Sequence, residues 1–264
     1  MLDKVLPIYK YKFELLVNEI EQLRAGGDSF ILPQKPVDRD VLFFTAVHGD
    51  EKIGVDVMRK IEQSQEIDWL IANDKALDAN KRFINVDMNR AGPGNPNSEK
   101  HEERRAAEII AKAQEFNYMV DLHGSKSDTG LFVIITKPSF EDLLLALQFK
   151  IANIVFWLPS EKRPTGPLVE FLEPAIEIEA GPKDSSSVQA ELQEKIQYFL
   201  QNYTNQITKE NLQGKNIFWV YGKHEKMDPK LINFEEVELD GEKFYPLLVG
   251  EYDFACYKMF KVNC

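Results

Sequence analysis

Two histidines of the chain each directly follow a short apolar run, and an acidic residue lies three positions after the first of them. His48 follows the apolar run 41–47, with Glu51 three residues later, and His123 closes the run 118–122. Two imidazoles and one carboxylate form the ligand set of many catalytic zinc sites, which keep a fourth position open for water. We therefore predict that His48, Glu51 and His123 bind a metal ion in a metal-dependent hydrolase.

The spacing of His48 and Glu51 is weak evidence by itself, because an acidic residue three positions from a histidine is common by chance. Gly49 permits a sharp backbone turn between them, so that both side chains can face one point. The alternative is a helix-capping segment, in which Asp50 and Glu51 lie near the positive end of a helix dipole. That alternative explains the acidic residues and leaves the histidine unexplained.

The second histidine has its own carboxylate neighbour in the sequence. Asp121 lies two residues before His123, so strand periodicity places both side chains on one face, where Asp121 can orient the imidazole. A buried histidine bonded to a backbone carbonyl is the alternative for His123 considered alone. His101 and His224 lie among charged residues, and we interpret both as surface residues.

Two further carboxylates occur in the apolar segment 174–182. Carboxylates on so apolar a strand are costly unless they are paired or functional. Glu179 lies nearest the strand end and can act as general base toward the water at the metal, then as general acid on the leaving amine. Glu177 could instead pair with an arginine or face solvent on an edge strand, and the sequence leaves this open.

The segment 82–90 contains arginine and asparagine residues that could bind a substrate. Arginine binds carboxylates in bidentate geometry, and asparagine adds directional hydrogen bonds. The chain has 32 Lys and Arg against 43 Asp and Glu, a net charge of −11. In so acidic a protein, Arg82 and Arg90 beside a metal suggest a small carboxylate-bearing substrate, with surface arginines as the alternative.

Composition narrows the classes of protein that fit. The 264 residues, 44% hydrophobic and 28% charged, suit a globular protein with one full-sized core or a core with a small appendage. The negative charge repels phosphate backbones, so we expect no nucleic-acid partner. Cys256 and Cys264 do not make a disulfide framework. No apolar run reaches membrane-spanning length and residues 1–4 lack a signal-peptide core, so we expect a cytoplasmic protein without a membrane partner.

Short apolar runs alternate with longer helically periodic stretches between residues 41 and 200. This pattern predicts an α/β fold with a mixed, largely parallel sheet sandwiched between helices, preceded by an amphipathic helix over residues 9–23. After residue 205, strand-like runs around a hairpin turn at Asp240–Gly241 predict a small C-terminal β subdomain. We therefore predict a domain over 1–204 and a subdomain over 205–264.

Four ordered motifs resemble the succinylglutamate desuccinylase/aspartoacylase family, which is related to the zinc carboxypeptidases. They are His48-Gly49-Asp50-Glu51, Asp87-Met88-Asn89-Arg90, Asp121-Leu122-His123 and Glu179-Ala180-Gly181-Pro182, and the resemblance covers roughly residues 40 to 182. It implies one zinc ion per chain, bound by His48, Glu51 and His123. It also implies that Glu179 is the catalytic carboxylate and that Arg82 polarises the scissile carbonyl.

The same resemblance implies how a substrate is held. Asn89 and Arg90 would bind the substrate carboxylate, and Tyr252 would contact the substrate from the C-terminal region. Our hypothesis is a zinc-dependent amidohydrolase that removes the acyl group from a small N-acyl amino acid. The alternatives are a zinc carboxypeptidase acting on short peptides and a non-catalytic metal- or metabolite-binding relative. The sequence leaves the oligomeric state open, with a homo-oligomer among the alternatives.

Overall fold

Helices and strands alternate along most of the chain. The computed structural model describes residues 2–26, 29–159, 164–204 and 206–262. In chain order, the helices and strands of these ranges are α1 (Lys10–Ala25), β1 (Phe30–Ile31), β2 (Arg39–Thr45), α2 (Ile53–Glu62), β3 (Trp69–Ile71), α3 (Asp74–Asp78), α4 (His101–Ala113), β4 (Phe116–Gly124), β5 (Gly130–Ile135), α5 (Phe140–Ala146), β6 (Asn153–Phe156), β7 (Ala175–Gly181), α6 (Ser186–Asn202), β8 (Gln206–Ile207), β9 (Asn216–His224), β10 (Val237–Leu239), β11 (Glu242–Leu247) and β12 (Cys256–Lys261).

A ten-stranded mixed sheet organises the molecule, in the order β10-β11-β12-β9-β6-β5-β7-β4-β2-β3. Strands β3, β2, β4 and β7 run parallel, as do β5, β6 and β9, and the two groups meet at the antiparallel pair of β5 and β7. The C-terminal strands β10, β11 and β12 form an extra antiparallel subdomain on the β9 side. The predicted fold class is confirmed, while the boundary at residue 205 stays a prediction.

Alternate residues of the central strands point to opposite faces of the sheet. Val41 and Phe43 of β2 belong to the larger core cluster, which also contains the buried side chains of α1, α2, α5 and α6. Leu42 and Phe44 belong to a second cluster on the other face, which is covered by α4. Helices on both faces of the sheet are the layer arrangement that the sequence predicts.

The two central strands bring the predicted catalytic residues side by side. β4 and β7 pair in parallel with Asp121 opposite Glu177 and His123 opposite Glu179. All four side chains point to the face covered by α4. Met119 of β4 and Ala175 of β7 belong to the core cluster on that face, and side chains two and four residues further along each strand point the same way. β7 lies between β4 and β5, and Glu177 is buried, so the edge-strand alternative for Glu177 is wrong.

The C-terminal hairpin follows the predicted turn chemistry. Leu239 pairs with Glu242, and Asp240 and Gly241 between them have φ values of 52° and 76°. Two successive positive φ values are typical of the two-residue hairpin turns that favour Asp-Gly.

Cys256 is buried and free, and Cys264 lies outside the described residues. None of the helices in the described ranges is long and apolar enough to cross a membrane.

The start of α5 fixes the beginning of β7. The Ser139 hydroxyl accepts the Asp142 N–H at 3.1 Å, and the Asp142 carboxylate accepts the Ala175 N–H at 2.8 Å. Burial raises the pKa of Asp142 to about 7, although Lys137 at 3.8 Å opposes the shift. A buried carboxyl group thus attaches a helix to the strand that carries Glu179.

This raised pKa predicts a pH-dependent stability. From about pH 4 to about pH 7 the native protein keeps the Asp142 proton that the unfolded chain releases. The free energy of unfolding should therefore fall as the pH rises through this window. We expect a smaller fall in Asp142→Asn than in the wild type, measured by denaturant unfolding at a series of pH values. Glu141→Gln, at the exposed neighbouring position, is the control, and equal falls in wild type and Asp142→Asn would contradict the prediction.

Candidate metal centre and active site

A chain of hydrogen bonds joins two imidazoles and three carboxylates beyond the carboxyl ends of β2 and β4. Nδ1 of His48 and Nδ1 of His123 lie 2.7 and 3.0 Å from the two carboxylate oxygens of Glu51. On the far side of each ring, Nε2 of His48 lies 3.1 Å from Asp87 Oδ1, and Nε2 of His123 lies 2.8 Å from Asp121 Oδ2. Both rings are thereby held with Nδ1 toward the same point.

Close backbone packing shapes the turn that carries the first two of these residues. A Cβ at Gly49 would lie 2.0 Å from the carbonyl carbon of Ala76, so this position accepts only glycine. The Gly49 N–H donates to the Arg82 carbonyl at 3.2 Å, and the Glu51 N–H donates to the His48 carbonyl at 3.1 Å. The sequence correctly marks Gly49 as necessary, but the reason is this close approach and not an unusual φ.

Electrostatics at the cluster favour positive charge. Burial alone would lower the pKa of His48 and of His123, but the facing carboxylates outweigh it and raise both, that of His123 the more strongly. The pKa of Glu51 falls far below its usual range although burial opposes this, because the charge of His48 and hydrogen bonds from both imidazoles stabilise its carboxylate. Three carboxylates around two rings therefore stabilise positive charge here, carried by protons or by a cation.

The arrangement fits a metal ion. Ligand atoms of His48, Glu51 and His123 all lie within 4.8 Å of one another, and all three residues are buried. Two ring nitrogens and a carboxylate oxygen are the donor set of catalytic zinc sites, and a carboxylate behind each imidazole is the usual means of orienting such ligands. Asp121, His123 and Glu177 meet the same distance condition, so the described residues offer a second, overlapping cluster.

Asp87 is part of the site although the sequence analysis assigns it no role. One of its oxygens contacts His48 and also accepts the Asn89 N–H at 2.9 Å, while the other lies 3.4 Å from a guanidinium nitrogen of Arg82. Burial opposes ionisation of Asp87, but these partners lower its pKa. The detectable signal is its position as the cap of the short 3₁₀ turn Met88–Arg90.

A second unpredicted residue holds the loop that carries the arginines. Glu102 lies in the first turn of α4. The charged residues of this turn predict that it is exposed to solvent, yet the side chain of Glu102 is fully buried. Its carboxylate accepts the backbone N–H groups of Ile84 at 2.6 Å, Asn85 at 3.1 Å and Val86 at 3.3 Å, and the side-chain amide of Asn73 at 3.3 Å. These bonds fix the segment between Arg82 and Asp87.

The cluster opens into a cavity of about 540 Å³. Every residue predicted for the site lines this cavity, namely His48, Glu51, Arg82, Asn89, Arg90, His123, Glu179 and Tyr252. His101 and His224 do not line it, and both are partly buried rather than fully exposed. The structure thus brings the predicted residues together, while their individual roles stay predictions.

The two arginines differ in what they contact. Arg82 lies 3.5 Å from Glu51 and 3.4 Å from Asp87, so its guanidinium is held beside the cluster. Arg90 donates to the Asn89 carbonyl at 2.7 Å, and no carboxylate among the described residues lies within ion-pair distance of it. The neighbouring Asn89 Oδ1 is buried and has no hydrogen-bond partner among the residues that the structure describes. Arg90 and Asn89 therefore keep polar groups available to a ligand.

Glu179 lies beside the cluster and keeps part of its surface open to the cavity. Burial and the nearby charge of Glu51 raise the pKa of Glu179 to about 8, and burial raises the pKa of Glu177 to about 7. A carboxyl group with a raised pKa next to a candidate metal centre can exchange protons near neutral pH.

Tyr252 is 43% exposed and stacks on Phe254 with ring centroids 5.2 Å apart.

The contact between Asp87 and His48 makes a prediction about metal affinity. Asp87→Ala should weaken zinc binding about 10- to 100-fold, because the imidazole loses the carboxylate that orients it. Competition with a chromophoric chelator measures this dissociation constant. Asp50→Ala is the matched control, since Asp50 pairs with Lys183 at 2.9 Å and contacts neither imidazole. Unchanged affinity in Asp87→Ala would show that this contact does not support the site.

The bonds of Glu102 predict a loss of stability on substitution. In Glu102→Gln an amide group faces backbone N–H donors that the carboxylate now satisfies, so the free energy of unfolding should fall by about 1–3 kcal/mol. Denaturant unfolding measures the change. Glu103→Gln is the control, because the Glu103 carboxylate bonds Lys100 and Ser98 on the outer side of the helix. Equal stability of the two variants would refute the anchoring role of Glu102.

Comparisons with known proteins agree with this geometry. Residues 37–207, more than half of the chain, match the succinylglutamate desuccinylase/aspartoacylase catalytic domain. A probable aspartoacylase of Acaryochloris marina (strain MBIC 11017) is 29% identical over 124 residues, 41% of this chain and 42% of the relative. A probable aspartoacylase of Prochlorococcus marinus (strain AS9601) is 24% identical over 160 residues, 53% of each protein. The matches thus span about half the length of these curated relatives.

Solved structures share the fold. Murine aminoacylase 3 superposes with a TM-score of 0.66 at 18% identity, covering 86% of this chain and 96% of that one. Succinylglutamate desuccinylase from Chromobacterium violaceum gives a TM-score of 0.59 at 17% identity, covering 92% and 96%. Identities this low show the fold alone. The family match over more than half of the chain shows that it belongs to the succinylglutamate desuccinylase/aspartoacylase catalytic-domain family.

Proposed function

We propose that the protein is a zinc-dependent amidohydrolase that removes the acyl group from an N-acyl amino acid. The observation that carries this proposal is the convergence of His48, Glu51 and His123 on one point, with Glu179 beside them. Family membership supports amide hydrolysis as the reaction class. The cavity, and the guanidinium of Arg90, which pairs with no carboxylate among the described residues, support a small substrate that bears a carboxylate.

His48 and His123 would hold the ion through their Nδ1 atoms, and Glu51 would hold it through a carboxylate oxygen. A bound zinc ion supplies Lewis-acid polarisation of the scissile carbonyl, lowers the pKa of a water toward ~7, and favours the ionised form of Glu179 by its charge. Asp87 and Asp121 keep the two rings oriented throughout. Their hydrogen bonds to Nε2 prevent either ring from turning away.

Glu179 moves the proton in the proposed reaction. Its carboxylate accepts a proton from water as the water oxygen bonds to the carbonyl carbon, and it returns this proton to the amine nitrogen as the C–N bond breaks. The products are a carboxylate from the acyl group and a free amino acid. Arg82, held in place by Glu51 and Asp87, can donate hydrogen bonds to the carbonyl oxygen as negative charge develops there.

Arg90 and Asn89 would orient the substrate by its free carboxylate. They lie two and three residues after Asp87, in the 3₁₀ turn that Asp87 caps, so the residue that contacts His48 also fixes the position of the proposed carboxylate-binding groups. A substrate held at two points keeps its amide at a set distance from Glu179, which lowers the entropic cost of reaction. Tyr252, across the cavity, is available to contact the same substrate.

A carboxypeptidase acting on short peptides is the second candidate, because the same Arg90 could hold a peptide's terminal carboxylate and a cavity of about 540 Å³ admits more than a small acyl amino acid. Side-by-side assays of N-acetyl and N-succinyl amino acids against dipeptides and tripeptides distinguish the two. Hydrolysis of peptides alone would overturn the deacylase proposal. Zinc bound without turnover of any of these compounds would favour a binding protein.

Substitution of the proposed base gives the sharpest test of the mechanism. Glu179→Gln should keep one zinc ion per chain and lose turnover by about 10²-fold or more, because the amide cannot accept the proton. Steady-state kinetics and metal analysis of the same preparation measure both quantities. Glu51→Gln is the comparison, since it removes a ligand and should lose metal and activity together. Near-normal turnover in Glu179→Gln would defeat the mechanism.

A further inference from the structure

The cavity extends well past the candidate metal centre. On the side away from His123 its walls are apolar and aromatic, and we call this part the apolar arm. A cavity of about 540 Å³ lies within the range of roughly 300–1,000 Å³ that encloses drug-sized ligands. The arm is lined by Leu6, Tyr9, Ile134, Trp157, Leu158, Trp219, Val220 and Tyr257.

Strand register shows the direction in which the arm runs. Glu177 precedes Glu179 by two residues, about 6–7 Å along β7, and pairs with Ile134 of the antiparallel β5. Thr136 follows β5 directly, two residues after Ile134 and on the side away from Glu179. Continuing the parallel registers of β5, β6 and β9 by one residue places Thr136, Trp157 and Val220 in one row. The arm therefore begins at Glu177 and leads away from the metal ligands.

The carboxylate-binding residue lies where the arm begins. Arg90, Glu177 and Tyr257 all line the cavity. Burial raises the pKa of both Glu177 and Tyr257, and the positive charge of Arg90 opposes each of these shifts. Trp157 packs edge-on against Tyr257 with ring centroids 4.4 Å apart, which makes an aromatic wall directly beside it. A ligand whose carboxylate is bound by Arg90 therefore has its nearest substituent next to this wall.

The N-terminal segment, residues 2–9, forms one wall of the arm. Lys4, Leu6 and Tyr9 of this segment line the cavity. The Lys4 ammonium donates to the Tyr221 hydroxyl at 3.0 Å and to Glu242 at 3.2 Å, and the Tyr9 hydroxyl donates to the Pro159 carbonyl at 3.0 Å. These contacts fasten the segment across the strand ends. It precedes residues 37–207, the part of the chain that matches the family.

The charges along the arm do not favour an anionic group within it. The charge of Lys4 is met by Glu242, which also binds Lys258 at 2.8 Å. Lys223 is exposed at the rim, with its ammonium 4.2 Å from the centre of the Phe254 ring. Burial of apolar ligand surface in the interior of the arm is therefore favourable, by a free energy of roughly 25 cal/mol per Å².

We propose that the apolar arm binds a large apolar or aromatic side chain on the amino-acid part of the substrate, and that residues 4–9 set how long this side chain can be. The inference rests on the proposed function, because it assumes that Arg90 holds the amino acid's carboxylate. It identifies the substrate class as N-acyl derivatives of large apolar amino acids, in preference to those of acidic or small ones.

Matched substrates test the proposal. With the acyl group fixed as acetyl, kcat/KM should be at least 10-fold higher for the phenylalanine and leucine derivatives than for the alanine and aspartate derivatives, a usual effect of added methylene groups in an apolar pocket. A preference for the alanine or aspartate derivative would overturn the proposal. So would a gain that appears only when the acyl chain is lengthened, since that would place the acyl group in the arm.

Binding of the product amino acid tests the arm independently of catalysis. Trp157 and Trp219 line the cavity, so binding in the arm should change tryptophan fluorescence. We expect L-phenylalanine to bind at least 10-fold more tightly than L-aspartate. Tight phenylalanine binding without hydrolysis of any acyl amino acid would support the arm and refute the proposed function, whereas hydrolysis without this difference in binding would refute the arm.

A pair of variants tests the N-terminal wall. Leu6→Asp places a charge in the arm and should lower the ratio of kcat/KM for acetyl-phenylalanine to that for acetyl-alanine at least fivefold. Ile8→Asp is the matched control, because Ile8 is 51% exposed, Leu6 is 39% exposed, and only Leu6 lines the cavity. Leu6→Trp places a larger side chain in the arm and should lower the same ratio. This variant replaces Leu6→Asp in the test if Leu6→Asp does not fold. An unchanged ratio in a folded Leu6 variant would overturn the role of this segment.

Discussion

The site depends on the carboxylate of Glu51, which is shared between the Nδ1 atoms of two buried imidazoles. A carboxylate in so buried a position needs hydrogen-bond donors or positive charge against its oxygens. Asp87 and Asp121 add two more negative charges behind the rings, so the whole assembly favours a cation at its centre. The same bonds that orient the ligands thus create the electrostatic demand that a divalent metal ion would meet.

The sheet explains why this assembly and Glu179, the proposed general base, occur together. His123 and Glu179 are register partners on neighbouring parallel strands, and Asp121 and Glu177 are the pair before them. The third part, the turn with His48 and Glu51, follows β2 on the other side of β4. Only the loop with Arg82 and Arg90 has no strand to position it, and buried Glu102 supplies that constraint by binding three of the loop's backbone N–H groups.

Local sequence patterns predict the parts of the structure that depend on local contacts. Apolar runs that end in histidine predict β2 and β4, and the two-residue spacing of Asp121 and His123 predicts their contact. The contacts of Asp87 with His48 and of Glu102 with the loop escape prediction because the partners lie 39 and 16–18 residues away. The capping position of Asp87 predicts its bond to Asn89 but gives no sign of His48. β12 is missed because lysines interrupt its apolar alternation, and the wall formed by residues 4–9 is missed because only tertiary packing brings it to the cavity.

Anomalous X-ray diffraction at the zinc absorption edge, on crystals of the protein grown with zinc, tests the central claim most directly. The account predicts one strong anomalous peak per chain, between Nδ1 of His48, Nδ1 of His123 and the carboxylate of Glu51. The contradicting result is no peak at this position, or a peak between Asp121, His123 and Glu177 in its place.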